Sequence, residues 1–219
     1  MESNWPELKP GDIFAVKGEG ILAWLNQKLI KPETDRYHFG IIGDYVSWED
    51  DYIILESIDK GIAVGRISFY KNSDVKVYRI NNSDENADYY GRHATTELSR
   101  LGRRKYDYLL CLKIALGVFK LWLVQVATLH RPTSVNFWEI EYATNSAFIC
   151  TEAAATAYER AGYLLLNPRE CQVPSAYQEQ IDNGRLVEVA SWSPGLALSS
   201  VMPVKPVTCT HFTSIKETA

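Results

Sequence analysis

Cys150 stands at the entrance of the alanine-rich stretch "FICTEAAATAYERAG", whose composition favours a helix beginning at or just after the cysteine. Glu152 in the first turn suits the positive end of the helix dipole, and Gly162 supplies a C-terminal stop. A thiol at such a helix start faces unpaired backbone N–H groups that stabilise an anion. That favours the thiolate, and with it nucleophilic attack on a carbonyl. Cysteine is equally at home as a small buried residue beside alanines, so this stretch alone leaves both roles open.

A base with an orienting carboxylate would decide in favour of chemistry. The runs "YHFGII" and "YIILES" read as a hairpin joined by the polar "GDYVSWEDD". With the loop centred near Ser47, Ile42 is expected opposite Tyr52 and His38 opposite Glu56. Opposed side chains have Cβ atoms about 4.5–5.5 Å apart, within reach for Glu56 to orient the His38 imidazole and support its protonated form. A half-exposed cross-strand pair with no further role is the alternative.

These residues must be held by a scaffold that the hydrophobic pattern outlines. A turn at Pro10-Gly11-Asp12 leads into a strand over Ile13 to Val16, with Gly11 and Asp12 read as turn formers. "GILAWLNQKLI" has helical spacing and ends before Pro32. The hairpin is followed by "GIAVGRI" and "VKVYRI", so the first part of the chain predicts an antiparallel sheet of about five strands. A polar surface helix with Ala94, Leu98 and Leu101 on one face precedes "YDYLLCLKIALGVFKLWLVQVATLH", a long apolar helix stopped at Pro132. Lys113, Lys120 and Gln125 interrupt it, so a core helix, or one lying against an apolar surface, is expected over a membrane span. Irregular chain is expected through "NPRECQVPSAY", then a strand at "RLVEVA". The fold class is α+β: one domain over residues 1–192 with an apolar helical insertion around 106–145, then a loosely held tail at 193–219.

The order "GDIF", "YHFGII", "ILES", "KYDYLL", "FICTEAA" and "VPSAY" resembles the circularly permuted NlpC/P60 proteins, the YiiX/YebB-like branch of the papain-like superfamily. The likeness covers roughly residues 7–180, and its force lies in the order of the motifs. It implies a permuted papain-like fold in which Cys150 is the nucleophile, His38 the general base and Glu56 the group that orients His38. It also makes the Tyr106 hydroxyl a candidate oxyanion donor beside the Cys150 backbone N–H, against the plainer role of a packing residue at a helix start. Thr151 follows the cysteine where a serine is common in this branch, and the stretch from Tyr106 to Cys150 is long for it. The implied chemistry is acyl transfer through a thioester, without metal or organic cofactor. Three readings remain open: an amidase or peptidase on peptide or cell-wall stem-peptide bonds, a lipid-directed thioesterase or acyltransferase, and a catalytically silent binding or structural module of a larger assembly.

Composition removes other classes. Net charge is −4 over 219 residues, so no global positive field draws the chain to nucleic acid, and no nucleic-acid partner is expected. Arg100, Arg103, Arg104 and Lys105 form a local basic group ahead of the apolar helix, suited either to a solvated helix end or to peripheral contact with lipid or an anionic polymer. "KGEGILAW" lacks the phosphate-binding glycine fingerprint. Cys111, Cys171 and Cys209, like His93, His130 and His211, have no metal spacing or matched partner, and no chemistry is expected of them. The start "MESNWPELKPGD" lacks the pattern of a secretory signal, which predicts a cytoplasmic protein or one released by lysis, dedicated secretion or a viral particle.

Overall fold

The structure is a computed structural model that describes residues 5–19, 32–81, 86–102, 104–128, 149–167, 173–195 and 199–200. The helix expected over residues 21–29 lies outside them, as do His130, His211, Cys171, Cys209 and most of the C-terminal tail.

The fold is α+β. Strands β1 (Ile13–Lys17), β2 (Arg36–Val46), β3 (Asp51–Ile58), β4 (Gly61–Arg66), β5 (Val75–Ile80) and β6 (Leu186–Trp192) form one antiparallel sheet, and the two-residue β7 (Ser199–Ser200) pairs at its edge. The spatial order is β4-β3-β2-β1-β5-β6-β7. The early meander matches the sequence reading. The sheet exceeds the expected five strands because β6 and β7 return from the far end of the chain to pair beside β5. Part of the tail read as loose is thereby tied into the sheet.

Strand alternation divides the apolar residues between two faces. Ile13, Ala15, Phe39, Ile41, Leu55, Tyr78 and Ile80 face one way, against α1 (Ala87–Arg100), α3 (Cys150–Arg160) and α4 (Pro174–Asp182). Phe14, Ile42, Ile54, Val75, Val77 and Trp192 face the other way, covered by the N-terminal segment and by a 3-10 turn at Ile67–Tyr70. The alanines of α3 follow from its place. It packs on β2 and β3 and also on α1, so it is buried on both sides, and Ala153, Ala154, Ala155 and Ala157 let the layers close. Where irregular chain was expected, α4 begins at Pro174, a residue whose fixed φ and missing N–H suit the first helical position.

Helix α2 (Tyr108–Thr128) forms where the apolar run predicts it but is not a core helix, because its leucines at 109, 112, 116 and 123 are exposed. Among the described residues, no helix is long and apolar enough to cross a membrane.

Gly11 and Asp12 act as the turn formers the sequence suggested, and they also lock layers together. Asp12 is buried in a bidentate ion pair with Arg79, both contacts at 2.7 Å, and also accepts the Lys9 backbone N–H. Burial pushes the Asp12 carboxyl up from its ordinary pKa, against the opposing pull of Arg79. Gly11 adopts φ +96° and presses on α1, where an added Cβ would fall 2.1 Å from the Gly91 Cα. Its carbonyl accepts the hydroxyl of the fully buried Tyr158 on α3. Gly11→Ala is therefore expected to lower stability by about 3 kcal/mol, a loss of left-handed backbone freedom added to a backbone collision, measured by denaturant unfolding with unchanged m.

Candidate active site

The pleat of β2 places His38, Gly40 and Ile42 on the face opposite Phe39 and Ile41. Glu56 lies directly across from Gly40, not from His38, and Ile42 pairs with Ile54, not with Tyr52. The expected register was therefore two residues out. The turn occupies residues 47–50, closing where Val46 pairs with Asp51, with Asp50 at φ +48° and the Tyr45–Tyr52 rings 5.0 Å apart. A bulge between Ile42 and Tyr45 then takes back one residue. A shift of two preserves the face, so Glu56 still meets His38, reaching it diagonally. Gly40 keeps that diagonal open. A Cβ there would stand 2.4 Å from the Phe14 ring, which fills the floor beneath His38 with ring centroids 6.0 Å apart.

The Glu56 carboxylate is buried and accepts two hydrogen bonds on Oε2, one from His38 Nε2 and one from the Tyr70 hydroxyl at 2.6 Å. Tyr70 ends the 3-10 turn, and its ring stacks on the imidazole with centroids 5.9 Å apart. Trp192 holds the same turn by donating its indole N–H to the Tyr70 carbonyl. Sequence reasoning missed Tyr70, since a single aromatic after β4 carries no periodic signal. With Nε2 engaged by Glu56, Nδ1 is the nitrogen left for the thiol.

Cys150 supplies that thiol. It is the first residue of α3, where Ile149 caps the helix in extended conformation and Glu152 accepts the Ile149 N–H at 3.4 Å. The Cys150 side chain lies close enough to His38 to favour its protonated form, and its Sγ lies 3.6 Å from the Tyr37 carbonyl. Burial works to lower the His38 pKa, but the hydrogen bonds and negative charge supplied by Cys150 and Glu56 prevail, and it rises from 6.5 to about 10. An imidazolium is the form these partners favour.

The "VPSAY" motif explains how the helix start is fixed. Tyr177 stacks on Phe39 of β2 at 4.5 Å and donates its hydroxyl to the Thr151 carbonyl at 2.9 Å, linking α3's first turn to the histidine strand. In front of the thiol lies a cleft of about 210 Å³ lined by Tyr37, Tyr106, Cys111, Ile114, Ile149 and Val173, among others, with no charged side chain among the described residues of its wall. The Thr151 hydroxyl borders it, buried and without a hydrogen-bond partner among the described residues.

Tyr106 is thus brought to the same cleft as Cys150, its phenol pKa pushed up by burial and then by the charge of Cys150. Cys111 is there too, half-buried, its Sγ 3.8 Å from the Tyr106 hydroxyl. The sequence reading gave Cys111 no chemical role and did not foresee this placement, in which the turn of α2 brings it to the cleft wall. His93 lies elsewhere, exposed and packed on Tyr89 at 4.1 Å. Of the basic group, Arg100 is paired with Glu97 at 2.5 Å, Arg104 and Lys105 are exposed, and Arg103 lies outside the described residues. Among the described residues no cluster of three or more His, Cys, Asp or Glu is arranged to hold a metal.

No protein-family model matches the chain, and no curated protein matches it.

Two measurements probe this geometry. Because folding raises the His38 pKa, the folded chain keeps a proton that the unfolded chain releases. The stabilisation is complete below pH 6.5 and is lost as pH rises through about 10. The thermal stability advantage of wild type over His38→Gln should shrink across that window and not toward acid. Tyr70→Phe removes one donor from buried Glu56, and is expected to cost about 1–2 kcal/mol in denaturant unfolding and to slow Cys150 alkylation by iodoacetamide at pH 7.

Proposed function

We propose that the chain is a cysteine hydrolase with a permuted papain-like site, in which Cys150 is the nucleophile, His38 the acid–base and Glu56 the orienting carboxylate. The observation that carries the reading is the placement of one imidazole between a buried carboxylate and a thiol at a helix N-terminus. The histidine strand precedes the cysteine helix, the order of the permuted branch.

In the proposed cycle the Cys150 thiolate attacks the substrate carbonyl, and the developing oxyanion is met by the Cys150 backbone N–H with the Tyr106 or Thr151 hydroxyl. Collapse of the tetrahedral species expels the leaving group, which takes the proton from His38. Neutral His38 then accepts a proton from water as the oxygen attacks the thioester, releasing a carboxylic acid and restoring the thiol.

The acyl half of the substrate is proposed to be apolar. Stem peptides carry carboxylates and amines, for which the described residues of the cleft wall offer no charged partner, whereas an acyl chain matches Ile114, Ala115, Ile149, Val173 and Pro174. This favours an acyl-lipid ester, amide or thioester over a cell-wall peptide.

A thiol-reactive acyl probe should label wild type and Cys111→Ser but not Cys150→Ala, read by intact mass; equal labelling of wild type and Cys150→Ala would remove Cys150 from the mechanism. Hydrolysis of acyl esters and thioesters of increasing chain length is expected to exceed release from peptidoglycan fragments, and to fall about 10³-fold or more in Cys150→Ala. The reverse preference would restore the peptidase reading. Silence on every substrate would favour a binding module.

A further inference from the structure

Helix α2 is apolar on both sides. Its inner side, through Cys111, Ile114 and Ala115, lines the cleft. Its outer side carries Leu109, Leu112, Leu116 and Leu123, spaced by three, four and seven residues along one stripe, each 47–59% exposed. A helix apolar all round is ordinarily buried all round. Exposed leucines in such a row imply a surface that meets them.

Charge says which surface. Lys113 and Lys120, seven residues apart and both exposed, run along one margin of the leucine stripe. Exposed Arg104 and Lys105 precede the helix. The sequence Tyr108–Thr128 contains no acidic residue, in a chain whose net charge is −4. Long basic side chains beside an apolar stripe can lay their stems on acyl chains while their ammonium groups meet phosphates. The leucine stripe with its basic margin fits a helix lying in a bilayer surface.

We propose that the outer face of α2 docks on an anionic lipid bilayer, with Leu109, Leu112, Leu116 and Leu123 entering the acyl boundary and Lys113 and Lys120 contacting headgroups. The cleft in front of Cys150 is walled by the same helix, so docking brings it to the bilayer surface. This surface goes beyond the proposed hydrolase activity and does not depend on turnover.

The test is flotation of the full chain with vesicles of phosphatidylcholine containing 30 mol% (about one lipid in three) phosphatidylglycerol, against phosphatidylcholine alone. Wild type and Cys150→Ala should float with the anionic vesicles, about tenfold more than with neutral ones, and less so at high salt. Leu112→Glu with Leu116→Glu should reduce the bound fraction about tenfold, with the melting transition checked to show that the variant is folded. Lys113→Glu with Lys120→Glu, at solvent-exposed positions, should reduce it about fivefold, and decides the matter if the leucine variant unfolds. No binding to anionic vesicles, or equal binding by wild type and the lysine variant, would overturn the proposal. So would a wild-type dimer in light scattering that the leucine variant converts to monomer without any vesicle binding, since the stripe would then serve a second copy of the chain. Loss of probe labelling at Cys150 with vesicle binding retained would sink the hydrolase reading alone.

Discussion

The site depends on a buried carboxylate that is never left alone. Glu56 sits inside the sheet face with His38 and Tyr70 both donating to one of its oxygens. A carboxylate in that position without partners would carry a desolvation cost larger than most single interactions in a domain. Its two donors offset that cost, and in doing so they fix the imidazole plane, engage Nε2 and leave Nδ1 for the thiol. The orientation of the candidate base is thus a by-product of satisfying a buried charge.

Around that carboxylate the sheet solves a geometric problem. A strand can present a residue to only one face, yet β2 must both carry His38 and hold the helix that brings Cys150. Alternation divides the work: Phe39 and Ile41 bind the helical layer on one face, while His38 and Gly40 build the site on the other. Cys150 meets His38 because it is the first residue of its helix, and Sγ lies against the Tyr37 carbonyl next to the histidine. Tyr177 stabilises this meeting by touching both sides, through its ring to Phe39 and its hydroxyl to Thr151. Small residues carry the rest, with alanines in α3 and the Gly11–Gly91 approach setting how closely the layers stack.

The sequence shows most of this where a period or a terminus leaves a signature. The strands of the meander, the start of α3 at Cys150 and the pairing of His38 with Glu56 follow from alternation, an alanine-rich run and a hairpin. The pairing survives an error of two residues in register because face parity, not direct opposition, is what the pattern specifies. What stayed hidden is non-local or aperiodic. Tyr70 reaches Glu56 from a 3-10 turn, Cys111 enters the cleft by helix rotation, and β6 closes the sheet from more than a hundred residues away. Helix α4 was concealed by Pro174, which reads as a breaker until it is seen at the first helical position.

Helix α2 tests how apolarity should be read. A run with leucines on all sides suggests burial, and the sequence left two places for it, in the core or against an apolar surface. The structure instead gives its inner side to the cleft and its outer leucines to the exterior. The same helix then has two apolar environments to satisfy, one that an acyl chain in the cleft would fill and one that a lipid surface would cover. A substrate that leaves a bilayer for the cleft would pass from one side of α2 to the other and exchange one apolar contact for another. On the proposed reading, the exposed stripe and the apolar described wall of the cleft are two parts of a single arrangement, since either alone would leave apolar surface in water or an acyl chain without a route to the thiol.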